Sequence, residues 1–393
     1  MDQAETDPDL IPKTSAESGK PPTMEDVATR AGVSRALVSI VFRGLPGASP
    51  ENRERVRRAA AELGFRPDRR ASLLGSKRTN LLGVAFGVGH EFHADLISDL
   101  YAAGDRHGLE LVLSGVTERR SEQQAIAELL DFRCDAVLVL GPTLSATELA
   151  AYGSSTPVVV LASAVEAPRV EVIRTDDELG ARLATEHLLS LGHRTIVHLD
   201  GGRAPGAGER RRGFLRTMQA LDLTERARLI PGGLSEADGV SAAQRFLGQR
   251  SAQGFLGQRS AQVLLAGRTR EPTAVFAFND QCAIGFLQTV RDAGVRVPGD
   301  LSLIGYDDSR LAHASWTRLT TVGQNTAALA EGAVTRALAR IRPADRAPAS
   351  GPDGPLLVPP RPEGPFLVPP SLVIRSTTGR SDDSSAVPDA RRL

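Results

Sequence analysis

From residue 80 onward, short runs of Val, Leu and Ile alternate with segments of helical periodicity, and nothing else constrains the fold as tightly. The runs are LLGVAF (81–86), LELVLS (109–114), DAVLVL (135–140), PVVVLA (157–162), TIVHLD (195–200), AVFAF (274–278) and LSLIGY (301–306). A strand that is apolar along its whole length is buried on both faces, as in a parallel sheet covered by helices. The intervening segments supply right-handed crossover helices. The series is too long for one sheet with short loops, so two parallel-sheet, Rossmann-like α/β lobes are expected. Ligands in such sheets bind beyond the carboxyl ends of the strands, which makes the cleft between the lobes the expected pocket.

Composition narrows the class further. Hydrophobic residues are 41% and charged residues 24% of the 393 positions, which excludes a wholly disordered chain, a collagen or a coiled-coil rod. No stretch approaches the roughly 18–20 apolar residues of a membrane span, and the N-terminus (MDQAETDPDL) is acidic where a secretory signal is basic and then apolar. The only cysteines, Cys134 and Cys282, lie inside apolar segments. A disulfide framework is excluded, and a reducing, cytoplasmic location is expected.

Lys+Arg and Asp+Glu each number 47, but the balance is uneven. Residues 1–22 carry 2 basic and 5 acidic side chains, whereas residues 23–79 carry 12 basic and 6 acidic ones. A short basic module on a mildly acidic body is the footprint of a polyanion binder, although a solvated helix face gives the same count.

The pattern inside that module separates the two readings. Val27, Ala28 and Ala31 form one apolar stripe, with Glu25 and Asp26 at the favourable N-terminal end of a helix that Gly32 stops. Ser34 N-caps a second helix whose Leu37, Val38, Val41 and Phe42 make a buried face. Ser49-Pro50 opens a third, with Val56, Ala59, Ala60 and Leu63 inside and Gly64 as its stop. Two short helices joined by a Gly-containing turn form a helix-turn-helix, and a third closes the core. Arg35, Ala36, Ser39, Ile40 and Arg43 remain on the outer face of the second helix, with 36, 40 and 43 stacked at i, i+4 and i+7. An apolar row flanked by arginines suits a DNA major groove, where it meets thymine methyls and guanine N7/O6. Residues 67–78 (PDRRASLLGSKR) hold at most two turns of helix. They read either as a linker or as a segment that orders on DNA and drives a leucine into the minor groove.

The run TMEDVATRAGVSRALVSIVFRG, followed by SPENRERVRRAAAELGFRPDRRASLLGSKRT, closely resembles the N-terminus of the lactose-repressor (LacI/GalR) family of bacterial transcription regulators. The likeness continues through VIRTDDELGARLATEHLLSLGHRTI, Arg210 before Gly213-Phe214, AVFAFNDQCAIG, Gly305-Tyr306-Asp307-Asp308, Leu319-Thr320-Thr321-Val322 and VPPSLVIRSTT. The resemblance implies an N-terminal all-α helix-turn-helix domain joined to a two-lobe, periplasmic-binding-protein-like domain. It implies base-reading positions at Arg35, Ala36 and Ile40, and a minor-groove Leu74 in a hinge helix that includes Ala71. Ser34, Ser39 and Arg43 complete the DNA-facing set. The sequence departs from the family where Ile40 replaces a common Arg, Ala36 replaces a long polar side chain and Arg43 replaces a common Asn.

The resemblance also implies three crossings between lobes, near residues 163, 320 and 344–365. The expected division is a tail (1–22), a DNA-binding domain (23–66), a hinge (67–79), a first lobe (80–163 with 320–343), a second lobe (164–319 with 364–380) and a tail (381–393). Asp176, Arg210, Asn279 and Asp307 are expected at the effector, a sugar or similar polar metabolite whose hydroxyls suit carboxylate, amide and guanidinium groups. Asp280 and Asp308 are read as helix N-caps. The first loop, Gly87-Val88-Gly89-His90-Glu91-Phe92-His93, departs from the family's Asp-x-x-Asn-Pro-Phe-Phe form. His90, Phe92 and His93 are still expected to reach the pocket, Phe92 as a stacking platform. The i, i+3 histidines lack further Cys/His ligands, so no metal is expected, nor any cofactor.

Enzyme motifs are absent: GVG lacks the third glycine of a dinucleotide fingerprint, and neither GxxxxGK[ST] nor GxSxG occurs. FLGQRSAQ recurs at 246–253 and 255–262, and GPLLVPP at 354–360 is echoed by GPFLVPP at 364–370. Nine residues advance a helix by two and a half turns, so Phe246 and Phe255 would face opposite sides. Prolines restrict the final strand to one copy, and the resemblance implies that this copy is 366–376. The expectation is a homodimeric, nucleoid-associated repressor that reads a pseudo-palindromic operator and responds to a small effector. Its rivals are a periplasmic-type sugar receptor without DNA function and an enzyme acting in the cleft.

Overall fold

In a computed structural model, residues 22–65, 78–252, 272–341 and 364–381 are described. Ala71 and Leu74, with most of the expected hinge, lie outside the described residues, as do Phe255, the 354–360 repeat and nearly all of both expected tails.

Residues 22–65 form three helices: α1 (Met24–Ala31), α2 (Arg35–Phe42) and α3 (Pro50–Leu63). Each end has a local cause. Thr23 and Asp26 exchange side-chain and backbone bonds as a capping box, and Ser34 and Ser49 accept from Leu37 N and Asn52 N. Gly32 and Gly64 terminate α1 and α3 in the left-handed conformation, at φ 61° and 66°. Val27, Ala28, Ala31, Val38, Val41, Val56, Ala59 and Ala60 close the core, with Phe42 and Phe65 packed at its edge. Leu37, expected inside, is only half-buried and is not part of that cluster.

The remainder is a separate unit whose first lobe begins with β1 (Leu81–Gly87), α4 (Glu91–Arg106), β2 (Glu110–Val116), α5 (Glu122–Asp131) and β3 (Ala136–Leu140). There follow α6 (Ala146–Tyr152), β4 (Val158–Leu161) and β5 (Val170–Thr175). The second lobe is built from α7 (Asp177–Ser190), β6 (Ile196–Asp200), α8 (Ala207–Gln219), β7 (Ala227–Pro231), α9 (Glu236–Ala252), β8 (Ala274–Ala277) and α10 (Asp280–Asp292). It continues with β9 (Ser302–Asp307), α11 (Arg310–His313) and β10 (Thr320–Gly323). The chain then adds α12 (Thr326–Ile341), β11 (Phe366–Val368) and β12 (Ser371–Val373).

Two six-stranded sheets result, ordered β11-β5-β4-β3-β1-β2 and β12-β10-β9-β8-β6-β7. All seven apolar runs are strands. The first sheet is covered on one face by α4 and α12, whose Leu96, Leu100, Leu329 and Val334 meet Leu82, Val84, Leu138 and Val159. Ile126, Leu129 and Leu149 cover its other face. In the second sheet, Phe246 and Phe286 lie over Val197, Val275 and Leu303, while Phe214 and Met218 lie over Phe276 and Ile304.

The helices α9 and α10 approach closely through glycine. A Cβ at Gly285 would lie 2.0 Å from the Glu236 carbonyl oxygen, and one at Gly239 would lie 2.1 Å from that of Cys282. The first FLGQRSAQ copy continues α9 and sends Phe246 into this core, 5.4 Å from Phe286.

The lobe boundaries differ from the expected ones. The strand β5 pairs with β4 from Val158↔Val170 to Leu161↔Ile173, so residues 164–175 belong to the first lobe and the first crossing falls after Thr175, not near 163. The strand β10 pairs with β9, so residues 320–323 belong to the second lobe and the crossing follows Gly323. The segment expected as one final strand, 366–376, is divided: β11 pairs in parallel with β5, and β12 pairs antiparallel with β10. Pro369-Pro370 cannot donate ladder hydrogen bonds, and the sheet changes there. The third change of sheet thus falls between 368 and 371 rather than at 344–365, and the second sheet is not wholly parallel.

Candidate functional site

The outer face of α2 is the first candidate. Arg35, Ala36 and Arg43 are exposed, Ser39 and Ile40 are half-buried, and Ser34 is occupied as the helix cap. No described residue pairs with Arg35 or Arg43. Two other arginines of the domain are committed internally: Arg53 donates to the Leu45 carbonyl at 2.5 Å and Arg55 to the Ala31 carbonyl at 2.6 Å. Arg30 pairs with Glu62 at 2.6 Å. Arg35 and Arg43 on α2, together with the exposed Arg57 and Arg58 on α3, therefore carry positive charge left for a partner.

The second candidate is the cleft between the sheets. His90, Phe92, His93, Arg210, Asn279 and Asp307 all line it, six of the seven residues expected there. Gly141, Thr143 and Ala162 join them from the first lobe, and Pro205, Leu234, Phe278, Gln281 and Gln324 complete the wall. The cleft encloses a space of about 100 Å³.

The first-lobe wall carries no charge. His93 is buried, its Nδ1 lies 3.2 Å from both the nitrogen and the oxygen of Gly87, and its ring meets His90 edge-on at 4.9 Å. Burial, assisted by His90 and opposed by the Gly87 bond, pushes the His93 imidazole down to about 3. Burial also lowers His90. Among the described residues, no three His, Cys, Asp or Glu side chains are grouped to hold a metal ion.

The second-lobe wall is built on a buried ion pair. Arg210 Nε donates to Asp177 Oδ1 at 2.9 Å and Nη1 to the Phe278 carbonyl at 2.6 Å, while Nη2 lies 4.0 Å from Asp307 Oδ1. The guanidinium carbon sits 3.6 Å from the Tyr306 ring centre, a cation–π contact. Burial raises the Asp177 carboxyl although Arg210 opposes it.

Asp307 ends β9 at φ 116°, a conformation that costs a non-glycine residue on the order of 1–3 kcal/mol. Gln324 Nε2 donates to its Oδ1 at 2.6 Å, and Gln324 Oε1 accepts from Thr175 Oγ1 at 2.7 Å. A strained carboxylate of the second lobe is thus tied to the last strand residue of the first lobe before the crossing. Burial raises the Asp307 carboxyl against the pull of Arg210, and burial together with Asp307 raises Asp280.

Several expected roles change. Asp176 does not line the cleft; its side chain caps α7 by accepting from Leu179 N at 3.0 Å. The acid that reaches the site's buried pair is its neighbour Asp177. Asn279, not Asp280, caps α10, accepting from Cys282 N at 2.8 Å and donating to the Leu234 carbonyl at 2.9 Å. Asp280 is buried and accepts from Thr321 Oγ1, Ser309 N and Ser309 Oγ. Asp308 pairs with Arg375 at 2.6 Å, and Ser309 occupies the cap position of α11. Gln281 escaped sequence reasoning: it donates to the Gly89 carbonyl at 3.2 Å and accepts from Glu91 N at 3.4 Å, joining the lobes across the cleft. Arg310 and Asp95 join them again at 2.8 Å. Both cysteines are free and buried, their thiols pushed up to about 12 by burial first.

The comparisons with known proteins cover both candidates. The family model described as bacterial regulatory proteins, lacI family, matches residues 23–68. That for periplasmic binding proteins and sugar binding domain of the LacI family matches 88–250, and a periplasmic binding protein-like domain matches 185–378. The HTH-type transcriptional regulator GalS of Salmonella typhimurium is 32% identical over 320 residues, 80% of this chain and 89% of that protein. A LacI transcriptional regulator from a Rhodococcus species is similar at 37% identity and TM-score 0.64, over 76% of this chain and 98% of that one. The lac repressor dimer bound to operator and the anti-inducer ONPF is similar at 27% identity and TM-score 0.70, over 92% and 100%. Among the described residues, no helix is long and apolar enough to cross a membrane.

Proposed function

Because the chain belongs to the LacI family of bacterial regulatory proteins, we propose that Ser34, Arg35, Ala36, Ser39, Ile40 and Arg43 contact its operator, with Arg35, Ala36 and Ile40 reading bases. We propose equally that His90, Phe92, His93, Arg210, Asn279 and Asp307 receive its effector. The protein is a sequence-specific, dimeric transcriptional regulator with a periplasmic-binding-protein-like effector domain. The finer reading is a repressor of the cytoplasm and nucleoid, without catalytic activity, whose lobes change their separation around a sugar-like ligand. Ala71 and Leu74 extend the DNA-facing set by resemblance alone.

One observation carries the DNA assignment: α2 exposes Ala36 with Arg35 and Arg43, and neither arginine has a partner among the described residues. A face that only met water would gain nothing from an Ala and Ile row, whereas a major groove offers thymine methyls to Ala36 and Ile40 and guanine or phosphate to the arginines. Coupling between operator and effector should be on the order of 1–3 kcal/mol and reciprocal.

Selection of bound duplexes from random DNA by the full chain, followed by a metabolite screen for release or recruitment, tests this reading. A pseudo-palindromic consensus whose affinity shifts with one metabolite is the expected result. Absence of any sequence preference, with or without metabolites, would leave a solute receptor instead.

A further inference from the structure

The charges around the cleft do not balance in favour of an anion. Arg210 is the only lysine or arginine among its lining residues, and that guanidinium is already held by Asp177, the Phe278 carbonyl and, at 4.0 Å, Asp307. The opposite wall offers two imidazoles that burial keeps neutral. Behind that wall, Thr143 donates both its N–H and its hydroxyl to Glu122 Oε2, at 3.0 and 2.9 Å. Glu122 is itself buried, and its Oε1 has no hydrogen-bond partner.

Helix N-termini are the usual remedy for a missing cation, since their free N–H groups attract phosphate. Here each helix opening at the cleft already carries acid. The first turn of α4 holds Glu91, that of α8 holds Glu209, and α10 begins with Asp280. The N-cap of α8, Gly206, lies against Asp177: a Cβ there would be 3.1 Å from Asp177 Oδ2. The α10 terminus is filled further by Asn279 Oδ1 on Cys282 N.

We propose that this cleft selects uncharged polyhydroxyl effectors and rejects their phosphorylated and carboxylated counterparts. The inference rests on the reading of the cleft as the effector site. A hydroxyl can donate to the unshared oxygen of Asp307 or exchange bonds with His90, His93 and Gln281, and Phe92 and Phe278 suit the apolar faces of a sugar ring. A phosphate placed there would lose its water, find the one lining cation already held, and lie against Asp307, with the buried acids Asp177, Asp280 and Glu122 behind the wall. Juxtaposing like charges in a desolvated site is the stronger effect, and it sets specificity by repulsion.

Titration calorimetry on the full chain at pH 8 tests the proposal with matched probes: glucose and glucose 6-phosphate, galactose with galactose 1-phosphate and galacturonate, and ribose and ribose 5-phosphate. The expected result is at least one neutral sugar that binds, with its charged counterparts weaker by about 100-fold or more. A phosphorylated or acidic probe that binds as tightly as its neutral partner, or more tightly, and competes with it overturns the selectivity and leaves the effector site intact. Failure of every probe to bind overturns the proposal by a different route, because it removes the sugar-like reading of the cleft itself.

Discussion

Replacing Arg210 by Met tests the architecture of the second-lobe wall directly. Methionine keeps an unbranched stem but removes the charge, the polar contacts to Asp177, the Phe278 carbonyl and Asp307, and the cation–π contact with Tyr306. The side chains of Arg210 and Asp177 are only 6% and 5% exposed, so solvent cannot take the arginine's place. Asp177 would become a buried, uncompensated carboxylate, and the Phe278 carbonyl would lose a 2.6 Å bond. Breaking one side of such a pair costs on the order of 3–5 kcal/mol, whereas replacing both sides by apolar residues is often close to neutral. The assay is urea unfolding of the full chain, followed by circular dichroism, for R210M, D177L and the double variant. R210M should lose about 3–5 kcal/mol, and the double variant should recover at least half of that loss. The pH dependence has a definite sign. Burial already raises the Asp177 carboxyl, and without Arg210 the native state would hold a proton that the unfolded chain releases. Native binding of the extra proton makes stability rise as pH falls, so the R210M deficit should shrink between pH 8 and pH 5. A loss below about 1 kcal/mol, strict additivity in the double variant, or a deficit that grows on acidification would refute the buried-pair argument.

Phe246→Ala should cost about 3–5 kcal/mol in the same assay, because Phe246 is fully buried against Phe286; a loss under 1 kcal/mol would mean that the first repeat copy is not part of the core. Gly285→Ala should destabilise by roughly 1–3 kcal/mol, since its methyl would meet the Glu236 carbonyl oxygen at 2.0 Å and force α9 from α10; an unchanged urea midpoint contradicts that close approach. Arg43→Ala should reduce the slope of log affinity against log salt by about one unit while preserving sequence preference. Fluorescence anisotropy on the selected duplex measures it, and a changed consensus at constant slope would make Arg43 a base reader instead.

What was legible in the sequence follows from which residues carried enough information locally. The seven apolar runs announced themselves because burial on both faces leaves no polar position in a strand. The strand β5 (VEVIRT) did not, because Glu171 and Arg174 interrupt it; Glu171 is held by Arg336 at 2.7 Å, a partner 165 positions away that no local window contains. Edge strand β7 was hidden by the exposed Leu229, and β10 by its small threonines. Helix caps were readable at Ser34 and Ser49, where a single candidate precedes the apolar stripe. The cap was misread at Asn279-Asp280 and missed at Asp176, expected at the effector, because at both places two adjacent side chains can each cap and only tertiary packing decides which one turns inward.

The same limit explains why the cleft was found in outline but not in its connections. Arg210, Asn279 and Asp307 sit just beyond strand ends or at helix starts, positions that topology alone directs toward a pocket. Gln324 and Gln281 lie in equivalent places, yet their importance comes from partners in the other lobe: Thr175 at 149 positions and Gly89 at 192. The route Thr175–Gln324–Asp307 crosses a lobe boundary that the sequence placed too early, because β10 had been assigned to the wrong sheet. Once β10 pairs with β9, Gln324 becomes the first residue of the crossing, and a ligand that draws on Asp307 also pulls on the polar link between lobes. In the proposed effector site, recognition and lobe separation would share one carboxylate, Asp307, whose Oδ1 holds Gln324 while its other oxygen is left for the ligand, so a two-state hinge could be biased there without any long chain of intermediates.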